Sequence, residues 1–190
     1  NIDLRLTTSA KKVNQADKTV SLSNGEVLIY DKLVVATGTR ARSLPLPSNV
    51  LDKSFLVRSW DESLSLKEFL ERDDKSLPLV VIGGGFIGLE VAASARKLGW
   101  NVTIIEAGQR LMGRAVHPRI SELALEKHKN VGAAVHLDTM IEKYEVSDNG
   151  LNLEIDGNNI SAAALVIGIG ALVNVECLEG TSIHDANGIR

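Results

Sequence analysis

Three glycines at the end of an aliphatic run carry the clearest chemical signal in the sequence. Gly83, Gly85 and Gly88 follow the run at 79–82 and satisfy the pattern GxGxxG. In this pattern the first glycine permits a tight turn, the second lets a pyrophosphate approach the backbone, and the third lets the following helix pack closely. The free N–H groups at the start of that helix then hold the anion. Because the GK[ST] ending of a P-loop is absent, the glycines predict a dinucleotide as the ligand.

An acidic residue extends this pattern. Glu106 ends the next aliphatic run, about 20 residues after the glycines, where a carboxylate accepts hydrogen bonds from the adenosine ribose hydroxyls. A 2′-phosphate about 4 Å from the carboxylate would meet about 1 to 4 kcal/mol of repulsion, so Glu106 predicts a preference for NADH over NADPH. The alternative is a purely structural turn with a solvated acid. It is less favoured because strand, spacing and acid occur together. Arg110 and Arg114 lie close by, and either contact with the nucleotide or a solvated loop position fits them.

Composition excludes several other classes of function. The chain has 190 residues, is 44% hydrophobic and carries a net charge of -3, which gives no basic footprint for nucleic acid. No apolar run is long enough to span a membrane and no signal peptide is visible, so a cytoplasmic protein is expected. A single cysteine, Cys177, excludes a CxxC motif, and we expect neither a metal site nor a catalytic triad. Four histidines fall in unrelated segments: His117, His128, His136 and His184.

The elements around the glycines alternate as strand, helix and strand. A capping box at Ser59 and Glu62 predicts a helix over about 59–72. An uninterrupted aliphatic strand at 79–82 indicates a parallel sheet, a helix over 86–98 ends before Gly99, and a strand follows at 102–106. A further helix is predicted at 118–129 and a strand at 133–137, after which alternation with a period of two returns. The segment before residue 40 is β-like, with runs at 2–6 and 32–38 and a hairpin whose Asn24-Gly25 pair predicts a type I′ turn.

Together these patterns predict the fold class α/β. We expect a Rossmann-like doubly wound parallel sheet with a β-meander crossover, flanked by β segments of an incomplete second domain. Since the chain begins with Asn1 rather than Met, we interpret it as a fragment of a longer protein.

Four separated motifs identify a resemblance. They are YDKLVVATGTRAR at 30–42, VRSWDESLSLKE at 57–68, VVIGGGFIGLEVAASARKLGWNVTIIEAGQRLMGRAV at 80–116 and ALVIGIGALVNVE at 164–176. The chain resembles the FAD-dependent pyridine nucleotide-disulfide oxidoreductases, in particular the ferredoxin, rubredoxin and putidaredoxin reductases. One departure is Val173, where the family pattern GIGxxPN has proline. The first FAD-binding GxGxxG and the later Gly-Asp motif of that family do not occur in the chain.

The resemblance implies three divisions of the chain: 1–45, the C-terminal part of the first segment of an FAD domain; 46–165, the NAD(H)-binding domain; and 166–190, a truncated return into the FAD domain.

The resemblance also implies cofactor roles for individual residues. Those expected at NAD are Gly83, Gly84, Gly85, Phe86, Ile87, Gly88, Glu90, Glu106, Arg110, Arg114, Gly168, Ile169 and Gly170. Those expected at FAD are Ala36, Thr37, Gly38 and Arg42.

The same resemblance implies that hydride passes from NADH to FAD, and electrons then pass to a ferredoxin- or rubredoxin-type protein. Two alternatives remain: a coenzyme A disulfide reductase or NADH oxidase, and a non-enzymatic flavoprotein like the apoptosis-inducing factors. Neither the acceptor's identity nor the oligomeric state follows from the sequence.

Overall fold

The computed structural model describes residues 2–190. Its strands are β1 Ala10–Asn14, β2 Thr19–Leu22, β3 Val27–Ile29, β4 Thr39–Ala41, β5 Ser54–Phe55, β6 Leu79–Ile82, β7 Val102–Glu106, β8 Ala134–Leu137, β9 Lys143–Ser147, β10 Gly150–Ile155, β11 Asn158–Ala162, β12 Ala164–Ile167, β13 Ala171–Val173, β14 His184–Asp185 and β15 Gly188–Ile189. Its helices are α1 Ser48–Leu51, α2 Trp60–Leu70, α3 Phe86–Lys97 and α4 Pro118–Asn130, with a short 3₁₀ turn at Glu176–Leu178.

The chain divides into two compact units. One contains the residues up to Arg40 together with Ala171–Arg190, and the other is Ala41–Gly170. The division predicted from the sequence, after residues 45 and 165, remains a prediction of where the family's domains begin and end.

The unit Ala41–Gly170 is built on a five-stranded parallel sheet in the order β5-β12-β6-β7-β8. The aliphatic runs of β6 and β12 are buried along their whole length, because both faces of the sheet are covered. One face packs against the helices α2 and α3 through a core that includes Leu66, Leu89 and Trp100. The other face packs against the meander β9-β10-β11, which supplies Leu151 and Leu153. The predicted α/β fold with a meander crossover is confirmed.

The local signals of the helices also hold in this unit. The Oγ atom of Ser59 accepts from the N–H of Glu62 at 3.2 Å, and the Glu62 carboxylate accepts from the Ser59 N–H at 2.8 Å. Helix α3 ends before Gly99, whose φ of +90° is the left-handed conformation that closes a helix. The strand β5 was not predicted, since two residues are too few to show a period.

The unit that contains the two ends of the chain holds the antiparallel sheet β1-β2-β3. Its small core includes Val13, Val20, Val175 and Leu178. The predicted hairpin between β2 and β3 is confirmed, but its turn type is wrong. Only Gly25 has positive φ, and its N–H donates to the carbonyl of Leu22 at 3.1 Å, so a three-residue loop replaces the type I′ turn.

Two predicted β runs do not form strands. Residues 2–6 and 32–38 have no strand assignment, and Leu4 and Val34 have exposed side chains. An apolar pattern gives a strand only where another strand supplies hydrogen bonds, and neither run has such a neighbour among residues 2–190. Over the same residues, no helix combines the length and the apolar character needed to cross a membrane.

Candidate dinucleotide site

The predicted glycines lie where three neighbouring parallel strands end. Ile82, the last residue of β6, is level with Ile167 of β12 on one side and Ile105 of β7 on the other. The chain order reverses between β6 and β12, since the strands that follow β6 extend to one side and β12 lies on the opposite side. A crevice at the carboxyl ends of strands beside such a reversal is where open α/β sheets bind ligands.

Glycine is required at two positions because the backbones touch. A Cβ on Gly83, whose φ is +104°, would lie 2.4 Å from the carbonyl oxygen of Gly168. A Cβ on Gly88 would lie 2.1 Å from the carbonyl oxygen of Gly83. The first glycine therefore lets the loop pass under the end of β12, and the third lets α3 lie directly on the loop. Both are packing requirements of the protein itself.

Gly85 differs from these two glycines. A Cβ at Gly85 would meet nothing nearer than the carbonyl oxygen of Gly168, at 3.8 Å, and φ and ψ of -81° and -178° suit any residue. Gly85 caps α3 without a side-chain hydrogen bond, and no acidic residue lies in the first turn. The first N–H groups of α3 are thus left for a ligand. Phe86 and Ile87 next to them expose large apolar side chains, and Glu90, one turn further along, is also exposed.

The Glu106 carboxylate is fixed by two backbone groups. Its Oε2 accepts from the N–H of Gly84 at 2.6 Å, and its Oε1 accepts from the N–H of Gly108 at 2.7 Å. An ionised carboxylate has about four acceptor positions, so half of its capacity remains for ribose hydroxyls. Gly108 was missed from the sequence, although a glycine two residues after the acid is a signal: its Cβ would lie 2.9 Å from Oε1.

The two arginines after Glu106 have different surroundings. Arg110 is partly buried, and its guanidinium donates to the carbonyl oxygens of Gly113 and Val116 and to Oγ of Ser121 on α4. Arg114 has an exposed side chain. Ser121, which is buried, was not singled out from the sequence because only the loop geometry connects it with Arg110.

The second glycine crossover continues from β12. Gly168 is held by a hydrogen bond from its N–H to the carbonyl of Ile82 at 2.7 Å, and Ile169 packs against the core beneath the meander. Gly170 is exposed with φ of +110°, and its carbonyl accepts from the N–H of Arg42 at 2.9 Å. The side chain of Arg42 is exposed.

The segment predicted at FAD belongs to the other unit. Ala36, Thr37 and Gly38 are all exposed. Asn174, from a later segment of the same chain, holds this segment by hydrogen bonds. The side-chain amide of Asn174 donates to the carbonyl of Thr37 at 3.0 Å, and its backbone N–H donates to the carbonyl of Gly38 at 3.0 Å. Arg40 in turn donates to Asn174 Oδ1 at 2.7 Å. Asn174 therefore fixes the segment although Val173 replaces the family's proline.

The remaining candidate groups are a cysteine and a histidine. Cys177 is buried in the small core of the unit that contains both chain ends. Nδ1 of His128 on α4 is buried without a hydrogen-bond partner, and burial lowers the pKa of this histidine. In the part of the chain that the structure describes, no three His, Cys, Asp or Glu side chains are grouped to hold a metal ion.

Comparison with known proteins places this site in a family. The model of the pyridine nucleotide-disulphide oxidoreductases matches residues 1–190, so the chain belongs to that family. It is 36% identical over its whole length to the ferredoxin–NAD(+) reductase component of an anthranilate 1,2-dioxygenase system from Burkholderia cepacia, and spans 46% of that protein. The chain therefore corresponds to about half the length of such relatives.

Solved structures agree with this placement. The chain matches putidaredoxin reductase, in its covalent complex with putidaredoxin, with a TM-score of 0.86 and 31% identity, over 95% of this chain and 44% of that chain. It also matches the water-forming NADH oxidase from Lactobacillus brevis bound to NADH, with a TM-score of 0.83 and 25% identity, over 95% of this chain and 40% of that chain.

Proposed function

We propose that the unit Ala41–Gly170 binds NADH in an FAD-dependent reductase that passes electrons to a ferredoxin-type protein. The observation that carries the proposal is the opening at Gly85, where uncapped helix N–H groups stand beside a backbone without a Cβ. Gly85 and the first N–H groups of α3, called the cradle below, are not filled by the protein, and such a helix N-terminus favours an anion such as a pyrophosphate. Membership of the family and the NADH-bound relative support the same assignment.

The residues around the cradle would bind different parts of NADH. The helix N-terminus holds the pyrophosphate, and Glu106 accepts hydrogen bonds from the adenosine ribose. The exposed apolar side chains of Phe86 and Ile87 supply a surface against which a nicotinamide ring packs and from which it excludes water. Glu90 and the backbone of 168–170 lie at the same carboxyl edge of the sheet, and we assign them to the nicotinamide end.

Flavin, when bound, accepts the hydride and releases electrons singly. The exposed segment 36–38 and Arg42 would contact it, in the whole protein. Hydride transfer requires orientation of two rings and no general base, which is in keeping with the scattered histidines. The ferredoxin-type acceptor is supported by the relatives whose names include ferredoxin–NAD(+) reductase and by the reductase solved with putidaredoxin. A second candidate, an NADH oxidase, is supported by the Lactobacillus brevis structure.

The test is calorimetric titration of the chain with NADH and with NADPH, for the wild type and for Glu106→Gln. Glutamine keeps the shape of the side chain and removes the charge, but it can accept from only one of the N–H groups of Gly84 and Gly108. The ratio of the two affinities is therefore the readout. We expect the wild type to prefer NADH by at least about fivefold, since the repulsion of about 1 to 4 kcal/mol corresponds to about 5- to 1,000-fold. The variant should bring the two affinities close together.

The matched control is Glu126→Gln, which removes the same charge from an exposed position on α4. It should leave the preference unchanged. A folded wild-type sample that binds neither nucleotide would refute the assignment of the cradle. Equal binding of both nucleotides would refute the role of Glu106 in selecting NADH.

A further inference from the structure

We propose that Arg110 is a positioning residue that holds the phosphate loop in its binding conformation from outside the nucleotide site. The inference rests on the proposed function, because it assigns to that NADH site a residue that acts without touching the ligand. The sequence left open whether Arg110 contacts the nucleotide. The hydrogen bonds of its guanidinium point instead to the loop that follows β7.

The peptide groups of Gly84 are held on both sides. The N–H of Gly84 donates to Glu106 at 2.6 Å, and its carbonyl accepts from the N–H of Met112 at 2.8 Å. A glycine peptide rotates easily because no Cβ restricts it. With both polar groups bonded, Gly84 cannot rotate, and the N–H groups that follow it stay directed toward the cradle.

The Met112 contact depends on a strained local conformation. Met112 has φ of +51°, a left-handed conformation. For a residue other than glycine this conformation costs free energy, and it persists only where the surrounding structure holds it. Leu111, which is fully buried, anchors one side, and it lies so close to Gly84 that a Cβ there would be 2.4 Å from Leu111 Cδ2. Arg110 fixes the other side.

The guanidinium of Arg110 connects two carbonyls of this loop with helix α4. Nη1 donates to the carbonyl of Val116 at 2.8 Å and to Oγ of Ser121 at 2.9 Å, and Nη2 donates to the carbonyl of Gly113 at 2.5 Å. Both protons of Nη1 are therefore used within the protein. Because Ser121 lies on α4, the arginine fixes the loop to a helix rather than to the ligand. A lysine, with one nitrogen, cannot reproduce this fork.

The experiment compares Arg110→Lys and Ser121→Ala with the wild type in two measurements on the full chain. The first is amide hydrogen exchange at Met112 without nucleotide, which should be faster in both variants. The second is calorimetric titration with NADH and NADPH. Arg110→Lys should weaken both affinities by the same factor, about tenfold, and Ser121→Ala by about threefold, since one of three hydrogen bonds is lost. The preference for NADH should not change.

Arg119→Lys is the matched control, because it makes the same chemical change at an exposed arginine on α4, the helix that carries Ser121. It should alter neither measurement. A direct contact with the nucleotide predicts a different pattern: Arg110→Lys keeps the charge and the affinity, and Ser121→Ala has no effect. Either result would overturn the inference. If Arg110→Lys does not fold, Ser121→Ala decides.

The two measurements also separate this inference from the proposed function. A wild type that binds no NADH refutes the proposed function, whereas unchanged exchange at Met112 in both variants refutes the positioning role. Nucleotide binding in the wild type together with unchanged exchange overturns the inference alone.

Discussion

Two glycines of the phosphate loop should respond to alanine in opposite ways. The protein already fills the space for a Cβ at Gly88, where it would lie 2.1 Å from the carbonyl oxygen of Gly83. The corresponding space at Gly85 is open. We expect Gly88→Ala to lower stability and Gly85→Ala to lower NADH affinity while the fold persists. The two variants carry the same added methyl group three positions apart, so each is the control for the other.

The cost of Gly88→Ala follows from the contact. Ordinary van der Waals contact begins near 3.4 Å, so α3 and the loop must separate by more than 1 Å. Overpacking of a core typically costs about 1 to 3 kcal/mol, and here both partners are backbone, which places the cost at the upper end. Alanine gains about 1 kcal/mol in helix propensity. The free energy of unfolding should therefore fall by about 2 kcal/mol.

For Gly85→Ala the protein has room. Alanine caps a helix less well than glycine, but it also restricts the unfolded chain, and these effects of up to about 1 kcal/mol oppose each other. The methyl group would instead stand where the pyrophosphate approaches the backbone. NADH affinity should fall by at least about tenfold, which is 1.4 kcal/mol.

Urea unfolding followed by circular dichroism measures the first effect, and calorimetric titration with NADH measures the second. If Gly88→Ala is as stable as the wild type, the close contact between α3 and the loop is not present in solution. If Gly85→Ala binds NADH with unchanged affinity, the pyrophosphate does not approach that backbone, and the cradle has been assigned to the wrong ligand group.

Two further predictions concern stability. Trp100→Phe should lower the free energy of unfolding by about 2 to 3 kcal/mol in urea titrations. The change leaves a cavity and removes the indole N–H that donates to the carbonyl of Leu70 at 2.9 Å. An effect below about 0.5 kcal/mol would contradict this account. Burial lowers the pKa of His128 in the folded chain, so the unfolded state binds more protons and stability should fall as the pH drops below about 6.5. In thermal melts at about pH 7.5 to 5.5, the melting temperature of His128→Gln should fall less than that of the wild type. Equal slopes of melting temperature against pH would exclude His128 as a cause.

The parallel sheet could be predicted because its strands are specified locally. Four consecutive aliphatic residues at Leu79–Ile82 fit a strand covered on both faces, and the structure buries all four. The helix boundaries followed from single residues, Ser59 at one start and Gly99 at one end. In each case the signal and the structure it specifies lie within a few residues.

The errors arose where the structure depends on distant groups. The runs at 2–6 and 32–38 have strand composition, but a strand also needs a neighbour, and sequence pattern does not show whether one is present. For Arg110 the sequence pattern left both contact with the nucleotide and a solvated loop position open, and it did not show the hydrogen bonds within the loop. The partners of Arg110 lie up to 11 residues away and are brought together only by the turn at Met112.

The hydrogen bond between the N–H of Arg42 and the carbonyl of Gly170 has a consequence for how the chain folds. It closes the unit Ala41–Gly170 at its own ends, so this stretch enters and leaves its fold at one point. Bringing together the ends of a flexible segment of that length costs about 4 kcal/mol in loop-closure entropy. If this unit folds first, burial in its own large core offsets that cost. The two outer segments then begin close together. A host domain can accept an inserted unit of this kind without slowing its own folding, because the two ends of the unit lie together.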